Sequence, residues 1–343
     1  MKKMNFKLIV IGFLLVSTSL FGGDTKKNGG AGAQELLIPT GARMIALNGG
    51  QLANVSGIEA LYWNPAGVSQ ISGNTEILFF NGDQIGDISQ KYFAGAFSFG
   101  DIGVFAFSIK TFDFGDIPVT TVTNTEGTGE TFSPTYITAT AGYSNSLTDR
   151  IRVGFGINII TEKIINTSAT GIAIDAGLQY SNLANISGLD FGVVLKNLGP
   201  TMQFAGSDLN LNGTATLGVR GQQIYSVNSA AFELPSQFQI GVTYKYTVAE
   251  SNELTFGGVF ENSDYSSDSF RGSVEYGFNE MIFLRGSYIS LPDETNSDNV
   301  LFGPAFGAGL NYDLTYFKIG IDYAYRSTQY FDGLNNISVK IGF

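Results

Sequence analysis

Residues 315–325, TYFKIGIDYAY, alternate between apolar and polar or small side chains at almost every step. The apolar side of this segment carries Phe317, Ile319, Ile321, Tyr323 and Tyr325, and the other side carries Lys318, Gly320, Asp322 and Ala324. A period of two places the two sets on opposite faces of a β-strand. The same alternation orders residues 237–246 and 151–159, so it characterises the chain rather than one segment.

Alternation alone fits two architectures, because a soluble sandwich also has one apolar face per sheet. Three features favour a transmembrane β-barrel with lipid outside and a polar, glycine-rich lumen. The alternating runs are about ten residues long, as membrane-spanning strands are. Aromatic residues reach 13% of the chain. Charged residues make up only 14%, against roughly 25% in soluble domains.

The pattern predicts fourteen strands in an antiparallel barrel, an even number as in bacterial single-chain barrels. The predicted strands are 75–82, 91–99, 102–111, 135–144, 151–161, 170–181, 189–196, 237–247, 253–261, 269–277, 281–290, 304–312, 315–325 and 335–343. Every odd-numbered connection then has seven or more residues, and every even-numbered one has seven or fewer. Long extracellular loops and short periplasmic turns produce this asymmetry.

The chain divides into three predicted parts. Residues 1–22 have the pattern of a secretory signal peptide, with three lysines before nine apolar residues, too few to span about 30 Å of hydrocarbon. Residues 23–74 form a glycine-rich leader and a small N-terminal hatch, and residues 75–343 form the barrel. The predicted location is therefore the bacterial outer membrane, with membrane lipid around the barrel.

Composition excludes several function classes. The chain has no cysteine and no histidine, so thiolate and histidine metal sites and Ser–His or Cys–His catalysis are impossible. The net charge is −11, which disfavours a nucleic-acid partner because few cations are present to neutralise phosphates. No catalytic residues, metal site or cofactor are expected, and an enzyme is disfavoured.

Three sets of residues are candidates for function. The first is a hatch motif that is either structural or in contact with a ligand, and it comprises Trp63, Asn64, Pro65, Ala66 and Gly67. The second is a set of lumen charges that form a polar path or neutralise one another, and it comprises Arg271, Glu275, Arg285, Lys318, Asp322 and Lys340. The third is Phe343, a terminal aromatic residue typical of the signal that outer-membrane assembly machinery reads.

The longest predicted connection, residues 197–236, is too apolar for a disordered linker. Loops of this length are commonly functional. Two roles remain open from the sequence. The loop either caps the lumen or presents a docking surface to an exported partner.

Residues 41–69, GARMIALNGGQLANVSGIEALYWNPAGVS, resemble the N-terminal signature of the PorV/PorQ family. These proteins are outer-membrane barrels similar to FadL and related to type IX secretion. The resemblance implies a secretion component that receives the C-terminal domains of secreted cargo and passes them to surface attachment machinery. The Asn-Pro-Ala step also resembles the hatch of FadL-type proteins, which implies the alternative of an outer-membrane transporter of hydrophobic small molecules.

Overall fold

The computed structural model describes residues 29–214, 222–292 and 301–343. The predicted signal peptide lies outside the described residues. Fourteen antiparallel strands form a closed barrel in which each strand pairs with its neighbours along the chain and the last pairs with the first. The strands are β1 Thr75–Asp83, β2 Ser89–Ser98, β3 Val104–Asp113, β4 Thr135–Ser146, β5 Ile151–Ile164, β6 Thr167–Tyr180, β7 Leu189–Leu198, β8 Gln237–Ala249, β9 Asn252–Ser263, β10 Ser269–Phe278, β11 Ile282–Ser290, β12 Phe302–Asp313, β13 Lys318–Thr328 and β14 Leu334–Gly342.

The direction of the apolar side chains decides between barrel and sandwich. On β13, Ile321 and Tyr323 are each 45% exposed, whereas Asp322 and Ala324 are buried. A sandwich would bury the apolar set between its two sheets. Here the apolar set faces outward, which is the arrangement that a lipid environment favours. The predicted fourteen-stranded barrel is confirmed.

The predicted rule of connection lengths is wrong in detail. Four odd-numbered connections are short, namely 84–88, 165–166, 264–268 and 329–333. The strands extend beyond the predicted ends because continued pairing satisfies backbone groups that would otherwise lack hydrogen-bond partners. β5 and β6 each run for 14 residues and leave a two-residue turn. The asymmetry is carried by three long connections at one end of the barrel, 114–134, 199–236 and 291–301.

Labelling in whole cells tests this orientation, because the chain has no cysteine of its own. Val122 in connection 114–134 is 98% exposed, and Tyr316, between β12 and β13 at the opposite end, is 87% exposed. We expect a V122C variant to react with a membrane-impermeant maleimide on intact cells. A Y316C variant should react only after the outer membrane is permeabilised. The reverse labelling pattern would show that the barrel has the opposite orientation in the membrane.

The hatch crosses the lumen from the end with the long connections to the end where the chain enters β1. In the predicted orientation, these ends are the extracellular mouth and the periplasmic rim. At the outer end, the Gly29 amide donates to the Tyr265 carbonyl oxygen at 3.1 Å, and Ala31 forms a bridge with Glu233. At the inner end, the chain enters β1. Short helical turns lie between, and they are Gln34–Leu37, Ala42–Ala46, Ala60–Trp63 and Pro65–Gln70. Among the described residues, none of the helices has the length and apolar content needed to cross a membrane.

The core of the molecule lies where the hatch packs against the inner wall. Its fully buried side chains from the hatch include Met44, Leu47, Ile58, Leu61 and Val68. The wall contributes Leu78, Phe80 and Tyr92 from β1 and β2. Since this apolar surface cannot face the lipid, its burial against the wall stabilises the hatch inside the lumen.

Lumen-facing glycines make room for the hatch. A Cβ atom at any of seven wall glycines would approach a hatch atom to under 3.0 Å. These positions are Gly142, Gly154, Gly177, Gly192, Gly257, Gly307 and Gly342. At these positions the hatch therefore lies directly on the backbone of the wall, and no side chain fits between them.

Candidate functional site

Most of the predicted hatch motif is structural. Asn64 is fully buried, and its Oδ1 accepts a hydrogen bond from the Ala66 amide at 3.2 Å. Pro65 begins the following 3₁₀ turn, where its fixed φ is already suitable. Asn64 Nδ2 donates to the carbonyl oxygens of Leu52 and Leu178 at 3.2 and 3.3 Å, so the turn is joined to both hatch and wall.

Close packing explains the two small residues of the motif. A Cβ atom on Gly67 would fall against the carbonyl oxygen of Val55. The Ala66 carbonyl oxygen accepts a hydrogen bond from Ser144 Oγ of the wall at 2.8 Å. Gly67 thus allows close packing within the hatch, and the Ala66 carbonyl group joins the turn to β4.

Trp63 is the motif residue that faces a cavity. Its Nε1 donates to the Thr40 carbonyl oxygen at 2.8 Å, and its ring meets that of Tyr62 edge to face with centroids 5.2 Å apart. Both rings border a cavity of about 200 Å³ on the extracellular side of the hatch. We call this space, bordered by Trp63, Tyr62, Lys196, Arg271, Phe302 and Arg326, the vestibule.

Three of the predicted lumen charges form a buried network that fixes the hatch. Arg285 bridges Glu275 at 2.5 Å and Asp322 at 2.6 Å. Arg43 of the hatch joins Glu275 at 3.0 Å and also donates to Gln51. Since every member is paired, the network holds the hatch against β10 and β11 and does not form an open path.

The other predicted lumen charges lie elsewhere. Arg271 pairs with Glu261 at 2.5 Å on the vestibule wall. Lys318 is exposed at the periplasmic rim and pairs with Asp313 at 3.3 Å. Lys340 borders a cavity of about 670 Å³ at the periplasmic mouth. Of the six predicted charges, three therefore anchor the hatch, one lies in the vestibule, and two lie at the periplasmic end of the barrel. They do not line one route.

Ionisation within the hatch follows its burial. Burial lowers the pKa of Arg43, but the carboxylates of Glu275, Glu59 and Asp322 outweigh this effect and hold the pKa above its ordinary value. Burial raises the pKa of Glu59. Burial, and then the neighbouring charge of Glu162, raise the pKa of Glu35 to about 8. Burial therefore shifts the pKa of both Glu35 and Glu59 upward, whereas Arg43 stays charged because of its carboxylate neighbours.

Further hydrogen bonds close the lumen beneath the vestibule. Glu76 of β1 accepts from the Ile58 and Ser72 amides, each at 2.8 Å. Gln179 of β6 donates to the Val55 carbonyl oxygen at 2.9 Å, and Ser287 of β11 donates to that of Ala46 at 2.7 Å. The hatch is thus bonded to widely separated strands of the wall.

The barrel wall beside the vestibule has a break in its ladder. β6 pairs with β7 from Tyr180 to Ala176, and the register shifts before one further pair, Ile174 with Leu198. β7 ends at Leu198, whereas β6 continues to Thr167. Within the described residues, positions 169–173 of β6 have no strand partner on the β7 side, and Ala205–Gly206 pairs only with the far end of β6.

Segment 199–202 covers this break by packing without strand pairing. A Cβ atom on Gly199 would fall against the carbonyl oxygen of Ile172, and one on Gly171 would fall against the Met202 side chain. The register shift between Ile174 and Ala176 forms a bulge that a polar cluster holds in place. Asp175 accepts hydrogen bonds from the Asn197 amide at 2.7 Å and from Asn158 Nδ2 at 2.9 Å. We call the break and its cover, residues 169–173 and 199–202, the side seam.

A second, small cavity lies between the vestibule and the side seam. It shares Tyr62 and Lys196 with the vestibule and reaches Asp175 and Asn197 at the bulge. Its volume is about 20 Å³, so it barely connects the vestibule with the side seam in this conformation.

The long loop acts as a cap in its described part. Met202 and Leu234 are buried against Ala33 and Leu36 of the hatch. An outer hairpin of Asn210–Thr214 and Gln222–Ser226 carries exposed apolar side chains, and these are Leu211, Ile224 and Tyr225. Residues 215–221 of this loop lie outside the described residues.

Phe343 lies where the barrel closes. Its amide donates to the Thr75 carbonyl oxygen at 2.8 Å, and its own carbonyl oxygen accepts from the Asn74 amide at 2.7 Å. Its side chain is half exposed on the outer face and lies near Phe317. The assembly signal assigned to this residue stays a prediction.

Sequence reasoning named Trp63 and Arg271 as candidates but missed the other aromatic and cationic residues of the vestibule. Lys196 Nζ lies 3.5 Å from the centre of the Tyr62 ring, and Arg326 Cζ lies 3.6 Å from the centre of the Phe302 ring. The alternation signal could have placed Lys196 and Arg326 on the lumen face. It contains nothing that brings β7, β12 and β13 to the same cavity.

No protein-family model and no curated protein sequence matches the chain. Solved structures match its fold. The CymD monoaromatic hydrocarbon channel is 12% identical, covers 90% of this chain and 98% of its own, and gives a TM-score of 0.55. The Pseudomonas putida toluene transporter TodX is 13% identical, covers 89% and 99%, and gives 0.52. A Pseudomonas aeruginosa FadL homologue is 12% identical, covers 89% and 98%, and gives 0.52.

The chain therefore has the fold of FadL-like bacterial outer-membrane barrels. Likenesses at 12–13% identity show the fold alone, so the expectation that the chain is not an enzyme stays a prediction. These likenesses do not single out the PorV/PorQ family, so that finer assignment stays a prediction.

Proposed function

We propose that this protein is an outer-membrane channel that takes small hydrophobic molecules from the vestibule and releases them sideways through the side seam. One observation carries the proposal. The hatch closes the lumen beneath the vestibule, while the wall beside the vestibule lacks strand pairing.

Solvation favours the sideways route for an apolar solute. Passage through the hatch would require breaking its buried ion pairs and would end in periplasmic water. Passage through the side seam ends in lipid, where apolar surface stays out of water. Residues 169–173 have no ladder bonds to break on that side, so less hydrogen bonding opposes opening there than elsewhere in the wall.

The structural neighbours support this alternative better than a role in type IX secretion. CymD and TodX are described as a hydrocarbon channel and a toluene transporter. The secretion role rests on the resemblance of residues 41–69. In the described part of the long loop, Met202 and Leu234 cap the hatch and are not free to bind cargo. C-terminal cargo domains and surface attachment machinery remain predicted partners only.

Uptake into cells tests the proposal. We expect a Gram-negative host that produces the protein to accumulate radiolabelled toluene faster than a host with an empty vector. Uptake of radiolabelled glucose should stay unchanged, because the hatch excludes hydrophilic solutes. Equal toluene uptake in both hosts, or faster uptake of both solutes, would contradict a hydrophobic channel.

A further inference from the structure

We propose that the vestibule binds a monoaromatic carboxylate, an anion of the benzoate class. The proposal names a ligand for the vestibule of the channel described above, and in that sense it rests on the proposed function. The binding itself stands on the size, charge and lining of the cavity.

The size of the vestibule limits the ligand to about one ring. A dry protein cavity of about 150 Å³ is large enough to bind benzene. The vestibule measures about 200 Å³, which leaves room for a ring and one small substituent. A long acyl chain does not fit this volume in the described conformation.

The charges around the vestibule favour an anion. Three cationic side chains border the cavity, Lys196, Arg271 and Arg326, against one carboxylate, Glu261. Glu261 is already engaged, because it accepts from Arg271 and from Gln239, each at 2.5 Å. The positive charges of the other two side chains, Lys196 and Arg326, are therefore not neutralised by a carboxylate of the cavity.

The two surplus cations have no carboxylate partner within salt-bridge distance among the described residues. Lys196 is 3% exposed and rests on the face of Tyr62. The carboxylates whose charges act on it are Asp175, which accepts two hydrogen bonds of its own, and Glu261. Arg326 stacks on Phe302, and its buried Nε lacks a hydrogen-bond partner. A buried cation without a partner is costly, and a bound carboxylate would supply that partner.

The rest of the lining suits an aromatic ring. Tyr62, Trp63 and Phe302 present ring surfaces, and Ile45 and Ile289 add aliphatic surface. Aromatic pairs are stabilised beyond the area they bury. A neutral hydrocarbon ring would use this lining but would leave Lys196 and Arg326 without an anionic partner.

The single tryptophan of the chain provides the measurement. Trp63 borders the vestibule and is the only tryptophan in the sequence. Purified protein in a neutral detergent is titrated with benzoate, toluene and decanoate while Trp63 fluorescence is recorded, and calorimetry checks the affinities. We expect benzoate to bind more tightly than toluene, its uncharged counterpart, and more tightly than decanoate.

Charge-removing variants separate anion recognition from simple apolar binding. K196M and R326M should each weaken benzoate binding by about tenfold, as the loss of one charge-assisted contact predicts. Toluene binding should change little in either variant. K318M is the matched control, since Lys318 pairs with Asp313 at the periplasmic rim and should leave both affinities unchanged. Heat-modifiable migration in gels verifies that each variant forms a barrel, and K196Q replaces K196M if the latter does not fold.

Several results would overturn the ligand class. Toluene binding as tightly as benzoate, tighter binding of decanoate, or equal benzoate affinity in wild type and both variants would each do so. These failures are distinct from failure of the channel. If cells take up toluene but the purified protein does not bind benzoate, the channel proposal stands and the proposed ligand class is wrong. If the protein binds benzoate but cells do not take up toluene, the ligand class stands and the channel proposal is wrong.

Discussion

Replacing Gly257 with valine is expected to displace the hatch and convert the plugged barrel into an open pore. Gly257 lies on the lumen face of β9, and a Cβ atom there would fall against the backbone carbonyl oxygen of Gly50 in the hatch. The backbone of Gly50 cannot rotate away from the new side chain, as the end of a flexible side chain could. Overpacking typically costs about 1–3 kcal/mol, and here it acts directly on the contact between hatch and wall. Hatch displacement should leave a water-filled lumen like that of a porin.

Planar-bilayer conductance and uptake of a large hydrophilic antibiotic by cells measure this effect. The matched control is Gly258→Val on the same strand. A Cβ atom at Gly258 meets nothing within 4 Å, so conductance should stay at the wild-type level. Gly154→Val tests a second contact, where a Cβ atom would meet the Pro65 carbonyl oxygen. Folded G257V and G154V barrels with wild-type conductance would show that the hatch does not close the lumen.

Linking the two sides of the side seam by a disulfide is expected to abolish toluene uptake until a reductant is added. A Cβ atom on Gly171 would fall against Cγ of Met202. The two Cβ atoms of a G171C/M202C pair therefore come close to the separation of about 3.5–4.5 Å found in disulfides. The bond would hold segment 199–202 against β6, and the side seam would stay closed. Because the protein has no other cysteine, no competing pair can form.

The oxidised double variant should take up toluene at the rate of the empty-vector host, and reduction should restore uptake. G171C and M202C alone serve as controls and should respond to neither treatment. Unreacted thiols are counted with a maleimide to verify that the bond has formed. Full uptake by the oxidised protein would place the exit elsewhere in the barrel.

The sequence determined the barrel because lipid imposes a rule that can be read locally. Every backbone polar group in the membrane must be paired within the protein, so spanning segments are strands of a closed sheet. A period of two then assigns each side chain to lipid or lumen, as with Ile321 and Asp322. The turn at Asn64 and Pro65 was predictable for a similar reason, since capping and a fixed φ act between neighbouring residues.

Only the tertiary structure decided which lumen residues meet. Arg43 and Glu275 are 232 positions apart, and they pair because the hatch occupies one place in the lumen. Lys196 and Arg326 face one vestibule because the barrel closes on itself, and alternation fixes the face of a residue but not its neighbours across the lumen. The break in the β6–β7 ladder depends on where pairing stops, which side-chain pattern does not encode. Lumen glycines such as Gly257 fit the alternation of the strands, yet only the hatch packed against them explains why they lack side chains.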